Sequence, residues 1–337
     1  MSTQTAVPEQ ASETGPIDRA RPASHGTLTQ RARAGLVAAV SWVACHLPER
    51  LAIRVAELAG AAWYRATPGR AAQARRNLRR VCLHLVATGR ADGRTAAAAS
   101  DSGALESMVR SAYRHAARYY LEVLRIPAVT AAVIDERVII ETPEVVEAAF
   151  ATDRPVVFVG LHLGSVELPG LYLARRTGRR TSAPMETLGD PALQDWFART
   201  RARVGVRIVG IREARRELLA ALRQGESVGV IADRDIGGGG LQVPLFGSPA
   251  PVPVGPALLA IETGAPIFVA ALLRADRGRY RARLIELPMD AEGSRRDRVT
   301  AIVTASAKAF EDLIADAPDQ WWAVFFPIWP DLEERAS

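Results

Sequence analysis

His162 and Glu167 have side chains whose types and spacing are suited to acid–base chemistry. His162 follows the apolar run PVVFVG of residues 155–160, and Glu167 lies five positions beyond it. The run predicts a buried strand, and Gly164 permits a tight turn into a helix. With Glu167 in the first turn of that helix, its carboxylate is expected to reach back to the imidazole of His162. A carboxylate that fixes the tautomer of a histidine makes the ring a general base for a hydroxyl.

The alternative is a purely structural histidine at a strand end, satisfied by a local carboxylate, and spacing alone leaves both interpretations open. The position of the other imidazoles favours chemistry. All four of them lie upstream of residue 138, where an alternating strand–helix pattern begins: His25, His46, His84 and His115. Imidazole chemistry in that α/β region must therefore use His162.

A second polar group, Asp233-Arg234-Asp235, follows the apolar run SVGVIA of residues 227–232 and precedes four glycines. Two carboxylates around an arginine at a strand end are suited to holding a cation or a polar head group, and a structural ion-pair cluster is the alternative. The glycines match neither GxGxxG nor GxxxxGK[ST], and GxSxG is also absent, so nucleotide-binding folds of those types and a serine nucleophile elbow are not indicated.

Glu186 and Arg201 are further candidates. Glu186 ends a predicted strand that starts at Thr181, and Arg201 lies near the end of a predicted helix over 191–204. A buried arginine there would bind phosphate, whereas a solvated helix terminus is the alternative that spacing favours.

The elements that position these residues alternate along the chain. Apolar, β-branched runs predict strands at 155–160, 181–185, 207–209, 227–232, 266–273 and 280–287, and helical patterns fall at 191–204, 213–223, 254–263 and 297–315. Such alternation predicts an α/β fold: one domain with a largely parallel central sheet flanked by helices. Ligands bind such sheets at the carboxyl ends of the strands, where His162 and Asp233 fall.

Four regions are predicted along the chain. Residues 1–28, rich in Ser, Thr, Pro, Gln and Glu, are expected to be a disordered tail. Residues 29–85 predict amphipathic helices bearing Trp42 and Trp63, followed by a dense arginine block. Residues 86–104, rich in Gly, Ser and Ala, predict a flexible connection, and 105–332 form the α/β region.

Composition narrows the partners and the compartment. The 337 residues carry a formal charge of +6, and the two cysteines provide no disulfide framework, which favours a cytosolic setting. The first apolar stretch, residues 35–47, is shorter than the roughly 20 residues that span a bilayer. Amphipathic helices beside clustered arginines are suited to an anionic membrane surface, with a solvated helical hairpin as the alternative. Few aromatic residues and no recognisable motif argue against nucleic acid as a partner.

The segment from His162 to Glu167 resembles the HxxxxD/E motif of the bacterial lipid A biosynthesis acyltransferase superfamily. The similarity extends in order over roughly residues 31–331, apart from 86–106, and includes Asn77-Leu78, residues 117–122, Glu186, Trp196-Phe197, Arg201, residues 232–235, 243–247, 253–266, 318–322 and 327–329. Asp233-Arg234-Asp235 and Phe326-Pro327-Ile328-Trp329 are most similar to the phosphatidylinositol mannoside acyltransferases of actinobacteria. Glu167 is a departure, because those enzymes typically have Asp there, as against Glu in the lipid A branch.

The resemblance implies a membrane-associated O-acyltransferase, peripheral on the cytoplasmic face of the plasma membrane. His162 would be the general base that lets a glycolipid hydroxyl, such as one of a phosphatidylinositol mannoside, attack the thioester of acyl-CoA or acyl carrier protein, and Glu167 would orient His162. The substrate-binding residues would be Glu186, Arg201, Asp233, Arg234 and Asp235. No cofactor or metal is implied, and acyl-CoA is a co-substrate.

Two alternatives remain at this point. One is a lipid A-type or other glycolipid or phospholipid acyltransferase with a different acceptor. The other, from a different class, is a metal-dependent hydrolase that uses His162, Glu167, Asp233 and Asp235. One imidazole with scattered carboxylates is a poor set of transition-metal ligands, which disfavours the hydrolase.

Overall fold

The computed structural model of the chain describes residues 26–151, 154–178, 180–186 and 188–333. The helices within these ranges are α1 Leu28–His46, α2 Glu49–Ala66, α3 Pro68–Ala87, α4 Gly93–Ser100, α5 Ser102–Arg125, α6 Ala131–Arg137, α7 Pro143–Ala151, α8 Glu167–Thr177, α9 Pro191–Ala202, α10 Ala214–Arg223, α11 Gly255–Thr263 and α12 Arg295–Ala315. The strands are β1 Val138–Ile140, β2 Val157–Gly164, β3 Thr181–Met185, β4 Val206–Gly210, β5 Ser227–Ile231, β6 Leu241–Leu245, β7 Ser248–Val252, β8 Ile267–Arg274 and β9 Tyr280–Glu286.

The central sheet has seven strands in the order β1-β9-β8-β2-β5-β3-β4. All neighbours are parallel except β8 and β9, which are antiparallel. The predicted α/β fold with a largely parallel sheet is therefore confirmed. Strand β2 lies between β5 and β8, with Val157 level with Val228 and Ile267. The carboxyl ends of β2 and β5 consequently meet at one edge of the sheet.

Each face of β2 has a different environment because successive side chains alternate across a strand. Val157, Val159, Leu161 and Leu163 are buried in the main hydrophobic core, on the side where α11 and α12 contact the strand. The alternate positions, among them His162, point to the opposite face of the sheet. The strand thus anchors itself through one set of side chains and presents the other set to the site.

Residues 86–104 are not the flexible connection that their composition predicts. They contain α4, which packs against α3 and α5 and buries Thr95 and Ala98. Asp92 caps the helix by accepting a hydrogen bond from the backbone N–H of Thr95 at 2.7 Å. The prediction was wrong because an alanine-rich segment behind an N-cap has high helix propensity, however small its residues.

The predicted N-terminal helices are α1, α2 and α3. The predicted tail lies outside the described residues except at its end, where Thr27 caps α1. Trp42 is 44% exposed, whereas Trp63 packs against the rings of Tyr113 and Phe325. Part of the arginine block serves the fold instead of the surface, as shown by the pairing of Arg75 with Glu106. None of the described helices combines the length and the apolar character that a membrane span requires.

A C-terminal segment, residues 318–329, closes over the carboxyl edge of the sheet. Trp321 and Trp329 are fully buried in it, and Leu163 of β2 forms a β-bridge with Trp321. The Asn77 side chain donates hydrogen bonds to the carbonyls of Val324 at 2.9 Å and Phe326 at 2.8 Å. Helix α3 therefore fixes this segment against the end of β2.

Candidate active site

His162 lies within β2, two residues before the end of the strand, and not on a loop beyond it. The pairing of β2 with β8 shifts register between Gly160 and Gly164, and such irregularities re-aim side chains near active sites. Gly164 has a φ of 61°, and a Cβ there would lie 2.0 Å from the carbonyl oxygen of Leu272. Only glycine permits this close approach, so Gly164 fixes where the strand ends and where His162 points.

The carboxylate that holds His162 is Asp233, the residue two positions after β5. Nδ1 of His162 lies 2.7 Å from Oδ1 of Asp233, and the backbone N–H of His162 donates to Oδ2 at 2.9 Å. One carboxylate thus contacts both the ring and the backbone of the histidine. A carboxylate acceptor favours the tautomer with the proton on Nδ1, which leaves Nε2 able to accept a proton.

Trp321 completes the surroundings of Asp233, because its Nε1–H donates to Oδ2 at 2.7 Å. The Asp233 side chain has no exposed surface, and burial by itself raises a carboxyl pKa. The adjacent His162 and the hydrogen bonds from His162 and Trp321 outweigh that effect and hold the pKa of Asp233 below its usual range. The group is therefore an anion at neutral pH and stabilises a positive charge on the ring.

Glu167 begins α8, as predicted, but it does not contact His162. Its carboxylate forms a two-pronged ion pair with Arg201 of α9, with Nε 3.0 Å from Oε2 and Nη2 2.5 Å from Oε1. Tyr119 of α5 also donates to Oε1 at 3.4 Å. The predicted contact between Glu167 and His162 is wrong because the start of α8 turns the carboxylate toward α9, while β5 brings Asp233 beside the ring.

Arg201 is thus paired with Glu167 through Nε and Nη2, while its Nη1 lies 3.5 Å from the sulfur of Met185, and its role in phosphate binding stays a prediction. Burial opposes its charge, but the neighbouring Glu167 carboxylate raises the pKa of Arg201 above its usual range. Both side chains are about one-tenth exposed, at 11% and 12%. The pair is a buried connection between α8 and α9 that forms one wall of the site.

The three remaining predicted residues lie in different places. Glu186, just after β3, and Arg234 both line a cavity beside His162. Asp235 does not belong to that lining, and its carboxylate accepts a hydrogen bond from the backbone N–H of Gly240 at 2.7 Å. It therefore holds the glycine loop, which leaves Glu186 and Arg234 as the residues of this group available to a substrate.

Aromatic rings that the sequence analysis did not assign to the site cover His162. The Trp322 ring lies 4.3 Å from the His162 ring, nearly perpendicular to it, and stacks on Tyr119 at 4.8 Å. In the sequence, only the similarity of residues 318–322 to the acyltransferase superfamily pointed to Trp321 and Trp322. Nothing local shows that residues 88 positions apart, Asp233 and Trp321, come together.

The cavity beside His162 has a volume of about 510 Å³ and extends across the whole sheet. Its floor is one sheet face, and each of the seven strands contributes to it: Ile140, Leu284, Ala270, Gly160, Gly229, Ala183 and Ile208. Above this floor lie Pro169 and Gly170 of helix α8, together with Val166, which caps the start of that helix. The lining is overwhelmingly apolar, and its charged or imidazole side chains are those of His162, Glu167, Glu186, Arg201, Arg234 and Arg283. The arrangement can hold a long apolar group with one end at a general base.

Comparison with known proteins agrees with this chemistry. The profile of the bacterial lipid A biosynthesis acyltransferase family matches residues 98–327. The chain belongs to this family. A phosphatidylinositol mannoside acyltransferase of Mycolicibacterium smegmatis is 30% identical over 280 residues, which cover 82% of this chain and 84% of that protein. One of Mycobacterium tuberculosis H37Rv is 29% identical over 303 residues, which cover 88% of this chain and 89% of the relative.

As a lipid A-type acyltransferase, the chain is assigned to acyl transfer and not to hydrolysis. The hydrolase alternative required His162, Glu167, Asp233 and Asp235 to converge. Only His162 and Asp233 come together, and no group of three or more His, Cys, Asp or Glu side chains in the described ranges is placed to hold a metal ion. The geometry supports an acid–base pair in place of a four-ligand site.

Proposed function

We propose that this protein transfers a fatty acyl group from acyl-CoA or acyl carrier protein to a hydroxyl of a glycolipid, with a phosphatidylinositol mannoside as the acceptor. The observation that carries the proposal is the His162–Asp233 pair at the side of a long apolar cavity. The relatives are named for this acceptor, and their similarity extends over most of both chains. No cofactor takes part in the proposed reaction, since both substrates supply the reacting groups.

The reaction is a proton transfer coupled to acyl exchange. Nε2 of His162 removes the proton of the acceptor hydroxyl as its oxygen attacks the thioester carbonyl. The tetrahedral intermediate collapses, the carbon–sulfur bond breaks, and the imidazolium returns the proton to the departing thiolate. Asp233, held as an anion, stabilises the imidazolium in both steps. Holding both substrates beside one base supplies the proximity that the uncatalysed reaction lacks.

The apolar cavity is proposed to hold the acyl chain. Glycines and alanines on the sheet face leave the space. Gly160 of β2 lies level with Ala270 of β8, and Gly229 of β5 lies one step away on the same face, level with Phe158. Ligand cavities of about 300–1,000 Å³ typically bury most of a bound small molecule, and this one falls in that range. Burial of methylene groups contributes about 0.8 kcal/mol each, so a long chain is preferred over a short one.

The direct experiment is an acylation assay with the purified protein, acyl-CoA and a phosphatidylinositol mannoside, read by mass spectrometry of the lipid product. We expect one added acyl group on a sugar hydroxyl and release of CoA. A lipid A precursor serves as the competing acceptor. Preference for that precursor would favour the alternative acceptor, and release of free fatty acid without an acylated lipid would overturn the proposal.

The same assay with donors of increasing chain length tests the cavity. A Cβ at Gly229 has only Thr181 Cγ2 near it, at 4.0 Å, so Gly229→Leu is expected to fold and to fill the cavity floor. Turnover of long-chain donors should fall by about tenfold or more while that of short-chain donors stays near the wild-type rate. An unchanged chain-length profile would show that the acyl chain binds elsewhere.

Peripheral binding to an anionic membrane on its cytoplasmic face is the proposed location. Three apolar side chains at helical spacing are exposed on α1, Leu36, Val40 and Val43, and three on α2, Leu51, Val55 and Leu58, with exposures of 45–72%. Apolar helix faces of this kind insert into the headgroup region of a bilayer. Vesicles containing anionic phospholipid should therefore co-sediment with the wild type and less with Leu36→Glu or Leu58→Glu. Equal binding of all three would contradict the proposal.

A further inference from the structure

Arg234 has an unusual environment for a partly buried cation. Its guanidinium carbon lies 3.5 Å from the centroid of the Phe326 ring, so one face of the group is stacked on an aromatic surface. Among the described residues, no hydrogen bond or ion pair engages its nitrogen atoms. Burial lowers the pKa of Arg234, although the carboxylates of Asp233 and Glu186 partly offset this effect.

Arg70 of α3 approaches the same ring. Its guanidinium carbon lies 5.8 Å from the Phe326 centroid, and its side chain is exposed. No described residue forms an ion pair or a hydrogen bond with it either. Two uncommitted guanidinium groups therefore share one aromatic platform.

The other arginines around the site are paired. Arg201 is bound to Glu167 through two contacts, and Arg274 is bound to Glu122 at 2.7 and 2.9 Å. A partly desolvated cation without a partner costs stability, so Arg234 is better explained by a ligand than by the fold. Stacking holds the guanidinium plane and leaves its N–H edge free for a planar, bidentate contact, the geometry that arginine uses for phosphate.

The positions of Arg234 and Phe326 connect them with the reaction. Arg234 and Phe326 line the cavity that contains His162, and so do the exposed side chains Tyr120 and Ile236, which mark its opening. A group bound to Arg234 therefore lies at the mouth of the cavity, with the apolar interior beyond it. This is the place of the polar, phosphate-bearing part of a long-chain substrate.

We propose that Arg70, Arg234 and the Phe326 ring form a phosphate-binding site at the mouth of the cavity, which anchors a phosphate ester of a substrate. The inference rests on the proposed acyl transfer. Both substrates carry such a group: the thioester donor has phosphate on its pantetheine, and the glycolipid acceptor has a phosphodiester. The free edge of Arg234 is complementary to either one.

The experiment compares ligands that carry phosphate with ligands that lack it. The donor pair also differs in the adenosine of CoA and the acceptor pair in the inositol, so the effect of phosphate is read from the change between wild type and variants. Calorimetry measures the dissociation constants of S-hexadecyl-CoA and of S-hexadecyl-pantetheine, which has no phosphate. The acceptor comparison uses a phosphatidylinositol mannoside and a mannosyl diacylglycerol, and measures KM for each. Wild-type protein, Arg70→Gln, Arg234→Gln and the double variant are compared, with circular dichroism to verify folding.

We expect the wild type to bind one phosphate-bearing ligand more tightly than its phosphate-free counterpart. Each single variant should reduce this ratio of dissociation constants or KM values by about tenfold. If the variants lose the preference only in the comparison of the two thioethers, the site binds the donor. If they lose it only in the comparison of the two glycolipids, the site binds the acceptor. Arg234→Lys, which keeps the charge without the planar edge, should lose part of the preference. Unchanged preferences in the folded double variant would overturn the inference.

Arg79→Gln is the matched control, because it removes the same charge from an exposed position of the same helix away from Phe326. It should retain the wild-type preference for phosphate. A loss as large as that in Arg70→Gln would show that the overall positive charge of the helix causes the preference, and would overturn the inference. The thioether measurement does not require turnover. Failure of the wild type to bind either thioether would instead count against the proposed acyl transfer.

Discussion

Replacing Asp233 by asparagine is expected to lower kcat by about two to four orders of magnitude while the protein stays folded. The reason lies in the donors around the carboxylate. Oδ2 accepts N–H groups from the His162 backbone and from Trp321, so an amide must place its oxygen there. Its NH₂ group then faces Nδ1 of His162 and favours the tautomer with the proton on Nε2, which cannot act as a base.

The measurement is single-turnover acyl transfer by Asp233→Asn at saturating donor. Asp235→Asn is the matched comparison. Within the described part of the chain, the Asp235 carboxylate accepts a hydrogen bond only from the Gly240 backbone, and an asparagine oxygen can accept the same N–H. We expect that variant to remain within a few-fold of the wild type. A rate for Asp233→Asn close to that of Asp235→Asn would show that the ring needs no carboxylate.

Glu167→Gln is expected to act on stability more than on chemistry. It leaves the Arg201 guanidinium buried without an anion, and breaking a buried pair from one side typically costs about 3–5 kcal/mol in the free energy of unfolding. Urea denaturation of the wild type and the variant measures this change. The turnover per folded molecule should fall far less than in Asp233→Asn.

The double variant Glu167→Gln/Arg201→Met provides the control, because it removes the unpaired charge together with its partner. It should recover a large part of the stability, giving a coupling energy that a thermodynamic cycle isolates. The opposite pattern, normal stability with kcat lowered as far as in Asp233→Asn, would restore the interpretation in which Glu167 orients the base.

Much of the fold is readable from local pattern. The strands β2, β3, β5, β8 and β9 were predicted to within a few residues, because buried parallel strands are short apolar runs between turn residues. The hairpin of β6 and β7 was not predicted, since its prolines at 244, 249 and 251 obscure the strand pattern. Helix α4 was not predicted, because Gly, Ser and Ala are common in flexible connections as well as in short helices.

The site was predicted in its residues but not in its contacts. His162, Glu167, Arg201 and Asp233 were all selected, since each lies at a strand end or on a flanking helix. Which carboxylate meets His162 depends on the order of strands in the sheet, and β5 follows β2 only after two intervening strands in the chain. Sequence spacing favoured Glu167 because it is close in the chain, whereas the sheet brings Asp233 close in space.

The contribution of Trp321 depends on an even longer separation. Its indole reaches Asp233 because Asn77, Asp319 and Gln320 hold the C-terminal segment against α3, α5 and β8. None of these contacts follows a local pattern. In the sequence, two adjacent tryptophans near the end of the chain indicate that the segment is buried. They do not indicate that Trp321 contacts Asp233, which depends on where the segment packs in the fold.

The central claim, that His162 removes the proton of the acceptor hydroxyl, is tested most directly by single-turnover transfer in His162→Ala. Binding of S-hexadecyl-CoA is measured on the same preparation. We predict a rate about 10³-fold or more below that of the wild type, with the dissociation constant of the thioether within about threefold. Transfer by folded His162→Ala within tenfold of the wild-type rate would contradict the account.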